Sequence, residues 1–158
     1  MSYRYLADRM LAKLAAELRT EELKLDEKGS LLTVLNGVLF SFHYDERLEA
    51  LFIQADGGDL RAAGPEALGQ ALEKTLKANF LWQGTAGGIL GLDDEERLIL
   101  AYRLDFPLAR LDEDERGYDD TLLELLPYLA GAAEWAQDLA AGPGRIRRQS
   151  RRTGQAGY

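Results

Sequence analysis

Residues 31–55 read LLTVLNGVLFSFHYDERLEALFIQA, and two turns divide this stretch into three segments of β-prone residues. The first, residues 31–35, is apolar and β-branched and stops at Asn36-Gly37. That pair is a strong hairpin signal, because a type I′ turn needs positive φ at both central residues. Val38, Phe40, Phe42 and Tyr44 then alternate with Leu39, Ser41 and His43, the period of a strand with two unlike faces. A second turn at Asp45-Glu46-Arg47 leads into residues 48–55, where Gln54 is the one polar residue of the second half. Three consecutive strands joined by tight turns predict an antiparallel meander in one sheet.

On the N-terminal side, Leu6, Met10, Leu14 and Leu18 recur every four residues with Ala7, Leu11 and Ala15 beside them. Arg9, Lys13 and Glu17 fall on the opposite side, so an amphipathic helix with one buried stripe is predicted. The charged run TEELKLDEKG at residues 20–29 reads as a linker into the strands.

On the C-terminal side, Asp56-Gly57-Gly58-Asp59 breaks the strand pattern. Gly64-Pro65 opens a second helix, since proline is tolerated at the first helical positions. Leu68, Leu72, Leu76 and Phe80 form its apolar stripe, flanked by Ala71 and Thr75. The glycine cluster at residues 84–88 ends it. Residues 89–92 and 98–104 then read as a hairpin across Asp93-Asp94-Glu95-Glu96. After an acidic loop at residues 112–115, Leu122, Leu126, Leu129, Ala133 and Ala136 mark a third helix, with Pro127 predicting a kink or a helix that starts at the proline.

The expected fold is α+β, a twisted antiparallel sheet of about five strands with three helices on one side, in the order α-β-β-β-α-β-β-α. Residues 1–142 form the expected domain. Residues 143–158 form a basic tail, low in apolar content and expected to be disordered.

Charge separates the two parts further. The formal net charge is −8, yet the tail carries Arg145, Arg147, Arg148, Arg151 and Arg152 and no acid. Setting those five charges aside leaves residues 1–142 at −13. Such a body repels nucleic acid and anionic membrane and attracts basic polypeptide. No apolar run approaches the ~20 residues of a membrane span, so membrane insertion is not expected. The first twenty residues scatter charges where a secretory signal needs an apolar centre of roughly 7–15 residues. Cysteine is absent, which removes disulfides and thiolate metal sites and fits a reducing cytoplasm.

Searches for chemistry yield little. His43 is the one histidine; without cysteine or a second imidazole it reads as a packed or half-exposed strand residue. The glycine cluster follows a helix, opens a strand and contains no lysine, whereas a phosphate loop needs Gly-Lys-Ser/Thr opening a helix. The acidic runs at residues 93–96 and 112–115 lack the alternation and glycine of a calcium loop. No enzyme, metal or cofactor is expected.

The stretch KANFLWQGTAGGILGLD at residues 77–93 resembles the signature of class I type III secretion chaperones, the CesT/SycE-like group. That signature is a helix ending in Ala-Asn, a glycine-rich turn, then Leu-Gly-Leu-Asp leading to a strand. Leu25-Asp26-Glu27-Lys28-Gly29 and Ala133-Glu134-Trp135 add flanking similarity. The tail has no counterpart in the pattern. The resemblance implies a homodimer whose interface uses Leu72, Leu76, Asn79, Phe80, Leu81, Ile89, Leu90 and Leu92. It also implies a non-enzymatic bacterial cytoplasmic protein that holds the N-terminal segment of a secreted effector, keeping it soluble and secretion-competent. A partner chain can add to a sheet edge and seat apolar side chains in surface grooves. Leu31, Thr33, Leu35, Phe40, Phe42 and Leu51 are the candidate partner-binding residues. Two alternatives are a regulatory partner-binding protein of the secretion system, of anti-activator type, and a small-ligand-binding α+β domain.

Overall fold

A computed structural model describes residues 2–82, 85, 87–106 and 119–141. The expected tail and the acidic loop at residues 112–115 lie outside the described residues. The elements are α1 (Arg4–Leu18), β1 (Ser30–Leu35), β2 (Val38–Asp45), β3 (Ala50–Asp59), α2 (Gly64–Asn79), β4 (Ile89–Leu92), β5 (Arg97–Asp105) and α3 (Thr121–Ala141). Short 3-10 turns flank α2, at Leu60–Ala63 before it and Phe80–Trp82 after it. The five strands lie in the order β1-β2-β3-β5-β4, so the expected α+β order and antiparallel sheet are present and β1 and β4 are the edges.

The meander forms as the turn chemistry dictates. Asn36 and Gly37 have φ of 51° and 76°, and the hairpin closes with Leu35 opposite Val38. Phe40 faces Thr33 on one side and Ala55 on the other. Asp45 shapes the next turn: its Oδ1 accepts from the Leu48 and Arg47 amides at 2.9 and 2.8 Å. These bonds, the one from Leu48 foremost, hold the Asp45 carboxyl below its ordinary pKa. The turn takes up Leu48 and Glu49, so β3 begins at Ala50.

The chain divides into two compact units, residues 1–55 with 101–130 and residues 56–100 with 131–158. In the first unit Leu6, Met10, Leu11 and Leu14 of α1 are fully buried, as are Phe40, Phe42 and Leu51 of the meander. Tyr3 stacks on Phe106, whose amide donates to the Glu49 carbonyl at 2.7 Å. The charged stretch before β1 is more than a linker. Leu23 and Leu25 are buried, Asp26 Oδ1 accepts from the Lys28 and Ser30 amides, and the Arg4 guanidinium donates to the Leu25, Asp26 and Glu27 carbonyls.

In the second unit β3 continues through the four residues expected to end it. Its glycines are required by space at Gly57 and by both space and a φ of 97° at Gly58. A Cβ on Gly57 would lie 2.8 Å from the Leu98 carbonyl oxygen and 2.9 Å from Ala136 Cβ, and one on Gly58 would lie 3.1 Å from Ala140 Cβ. The strand is therefore pressed between its neighbour and α3, and Gln137 of α3 donates to the Asp56 carbonyl at 3.0 Å. Arg97 closes the same region with hydrogen bonds to both Asp56 carboxylate oxygens, at 3.2 and 2.5 Å. α3 begins at Thr121 and runs through Pro127. The proline is exposed, so water can satisfy the carbonyl that loses its amide partner.

Gly57→Ala is expected to lower unfolding free energy by about 1–3 kcal/mol, because the added methyl meets backbone and a packed helix. Gly69→Ala, at an open position of α2, is expected to raise it by about 0.5–1 kcal/mol. Urea unfolding followed by circular dichroism reads both.

Candidate functional site

α2 inverts the amphipathic pattern that its leucines suggest. The residues it buries are small, Ala71, Thr75 and Ala78, and the Thr75 hydroxyl donates back to the Ala71 carbonyl at 2.8 Å. Leu68 and Leu72 are half-buried and Leu76 and Phe80 are exposed. The four-residue stripe expected in the core thus lies largely outside it. Small side chains let the helix sit close to its support, and the leucines one position away are carried round to the surface.

The end of α2 is tied to the edge strand by one side chain. Asn79 Nδ2 donates to the Leu90 carbonyl at 2.9 Å, and the Leu90 amide donates to Asn79 Oδ1 at 2.8 Å. A primary amide reproduces the two bonds that a neighbouring strand would make with one residue. Leu90 is buried, while Ile89 and Leu92 at the two ends of the strand are exposed. Beyond Asn79 the backbone enters the left-handed region at Leu81 and Trp82, with φ of 54° and 56°. This region is unfavourable for side chains of that size. The outcome is a surface on which Leu76, Phe80, Leu81, Trp82, Ile89 and Leu92 are each between 47% and 72% exposed. Charge borders it: Lys77 Nζ binds Glu73 Oε1 at 2.5 Å and holds that carboxyl below its ordinary pKa.

Of the eight residues named for an interface, Leu76, Phe80, Leu81, Ile89 and Leu92 are exposed and Leu72 is half-buried. Leu90 and Asn79 do not serve as apolar contacts: the first is buried and the amide of the second is spent on it. Trp82, directly after Phe80-Leu81 and not among the eight, is exposed as well.

The six residues named for partner binding are placed differently. Leu35, Phe40, Phe42 and Leu51 are core, and Leu31 and Thr33 are half-buried on the same face. All six lie on the inward face of the meander. The outward face of the hairpin carries Leu32 and Val34, 67% and 61% exposed, with Leu39 opposite Val34. Phe52 lies on this face with the Arg103 guanidinium over its ring. His43 is exposed there too, its Nδ1 2.9 Å from the Ser30 hydroxyl.

The remaining motifs take structural roles. Asp93 Oδ1 accepts from the Glu95 and Arg97 amides, both at 2.9 Å, which makes the acidic run the turn of a hairpin. Among the described residues no group of three or more acids or histidines is placed to hold a metal ion. Nor is any described helix long and apolar enough to cross a membrane.

Residues 9–115 match the model of the Tir chaperone protein (CesT) family. No curated protein matches the sequence. Among solved structures, the complex of ExsC with ExsE aligns with a TM-score of 0.68 at 19% identity, covering 87% of this chain and 95% of the other. The Yersinia pestis type III secretion chaperone SycH, bound to a fragment of YscM2, aligns at 0.56 and 17% identity over 80% and 95%. The heterodimeric ExoU–SpcU complex of the Pseudomonas aeruginosa type III secretion system aligns at 0.57 and 20% identity over 84% and 95%. At these identities the likeness is one of fold.

Asn79→Ala is expected to lower stability by about 1–3 kcal/mol, since it leaves both Leu90 backbone groups without their partner. Amide hydrogen exchange gives a local reading. Protection of the Leu90 amide should vanish in Asn79→Ala and persist in part in Asn79→Asp, whose carboxylate still accepts that bond.

Proposed function

The chain belongs to the Tir chaperone protein (CesT) family, and on that premise we propose that it is a type III secretion chaperone working as a homodimer in the bacterial cytoplasm. Its family is one of chaperones, not enzymes. The cargo is the N-terminal segment of a secreted effector, held extended and soluble. Relatives by fold support this reading, since one is named a type III secretion chaperone and was solved with a bound protein fragment.

The observation that carries the proposal is where the exposed apolar side chains fall. Among the described residues, nine of the thirteen exposed large ones lie on or next to the two edge strands: Leu32 and Val34 on β1, with Leu39 beside them, and Ile89 and Leu92 on β4, with Leu76, Phe80, Leu81 and Trp82 leading into it. Edge strands also offer unpaired backbone groups, which invite another chain to pair. The two edges suit different occupants. The α2–β4 region exposes Phe80 and Trp82 with Leu76, Leu81, Ile89 and Leu92 and is tied by the Asn79–Leu90 bonds, which suits a self-complementary contact about a two-fold axis. The β1 edge is narrow and extended, which suits an added strand with alternate side chains on Leu32 and Val34.

Leu76→Glu with Phe80→Glu is expected to turn a dimer into a folded monomer at micromolar concentration, as sedimentation velocity with circular dichroism would record. The cargo is tested by affinity capture from the native host with mass spectrometry, which should recover one secreted protein bound through its N-terminal region. Leu32→Asp with Val34→Asp should weaken that capture at least about ten-fold, as expected for loss of buried anchor contacts, while leaving the dimer intact. A monomer with no bound protein overturns the proposal.

A further inference from the structure

The two edges of the sheet are not equally open. In an antiparallel ladder one residue turns its N–H and C=O toward the neighbouring strand, and the next turns both away. The pairing of Leu35 with Val38 across Asn36-Gly37 points Leu35, Thr33 and Leu31 at β2. The bond from the Tyr44 amide to the Gly29 carbonyl continues the same parity. Ser30, Leu32 and Val34 therefore present their backbone groups at the free edge of β1.

Ser30 is already taken. The Asp26 amide donates to the Ser30 carbonyl at 2.8 Å, and the Ser30 amide donates to Asp26 Oδ1 at 2.9 Å. One residue outside the sheet thus makes both bonds that a neighbouring strand would make, as Asn79 does for Leu90 on β4. Asp26 also accepts from the Lys28 amide at Oδ1 and from the Gly29 amide at its carbonyl, both at 2.9 Å, so the turn it closes fixes its place. Among the described residues nothing bonds the free-edge backbone groups of Leu32 or Val34. Beyond them β1 ends at Leu35, and the chain turns at Asn36 with a φ of 51°. The opening in β1 is two alternate residues, and their side chains are 67% and 61% exposed.

Resting on the reading of β1 as the edge that takes the cargo, we propose that Asp26 is a positioning residue: it sets where an added strand begins, so that the strand bonds Leu32 and Val34 and stops short of Ser30. The occupant is an extended segment of a partner protein, whose backbone supplies the matching donors and acceptors. Its apolar side chains stand at alternate residues, beside Leu32 and Val34 on the outward face. It is basic, complementing a chain of formal charge −8. Asn79 closes β4 to the same segment at Leu90.

The probe is a blocked peptide of alternating valine and threonine with lysine at both ends, titrated into the full-length chain. Residue-resolved amide exchange is read by NMR. Without peptide, the Ser30 amide should be protected and those of Leu32 and Val34 should exchange freely. With peptide at about ten times its Kd, Leu32 and Val34 should slow roughly ten-fold while Ser30 is unchanged. In Asp26→Ala the free chain should lose protection at Ser30, and the peptide should restore it. Asp26→Asn, whose Oδ1 still accepts, should behave as the native chain does. A merely structural role for Asp26 would not move the set of covered amides. Free exchange at Leu32 and Val34 up to millimolar peptide overturns the proposal, and so does a covered set that is the same in Asp26→Ala and the native chain. Slowing at Leu92 in place of Leu32 and Val34 also overturns it, because the strand has then chosen β4. Capture of no protein from the native host, with the peptide still covering Leu32 and Val34, refutes the cargo reading and leaves the role of Asp26 standing.

Discussion

The two-residue turn at Asn36 and Gly37 sets the register on which the meander depends. Both residues sit at positive φ, which matches the twist of the strands they join and leaves one pairing, Leu35 with Val38. From there the side-chain period of two decides everything across β1, β2 and β3. Phe40, Phe42, Ile53 and Leu51 must face one way, and Leu32, Val34, Leu39 and His43 the other. A slip of one residue would exchange these sets and bury a histidine where two phenylalanines belong. The buried face of the meander and the apolar strip on its outer face are two consequences of one turn.

The second surface arises from a different device. α2 is amphipathic in the reverse of the usual sense: its small residues are buried and its large ones are in solvent. Alanine and threonine at the buried positions allow close approach, and the Asn79 amide then bonds the helix end to both backbone groups of Leu90. Exposing leucine and phenylalanine is costly for an isolated protein. In this helix the polar clamp at Asn79 ties down the end without spending apolar surface on internal packing.

Acidic residues divide between structure and solvent. Asp8, Asp26, Asp45, Asp59 and Asp93 each accept backbone amides, and Asp56 pairs with Arg97 as Asp119 does with Arg9. These carboxylates serve local geometry. Others, Glu21, Glu22, Asp94 and Glu95 among them, are exposed and contribute to the negative field of the chain.

Element order, the first helix, both hairpins and the family signature at residues 77–93 were legible in the sequence, because turn residues and strand periodicity act locally. Three things were not. Alternation in β1 and β2 names two sets of residues without saying which meets α1, so the partner-binding set was placed on the buried face. Helical periodicity marks a leucine stripe in α2 without saying whether this chain or another covers it. The glycines at 57 and 58 look like a break and instead lie within a strand, because they answer to the closeness of Leu98, Ala136 and Ala140, residues distant in the chain, and at Gly58 also to a φ of 97°. By itself the sequence determined the local conformations and the chemistry available. The tertiary structure alone decided which face of each element is covered, since burial depends on neighbours that local pattern cannot name.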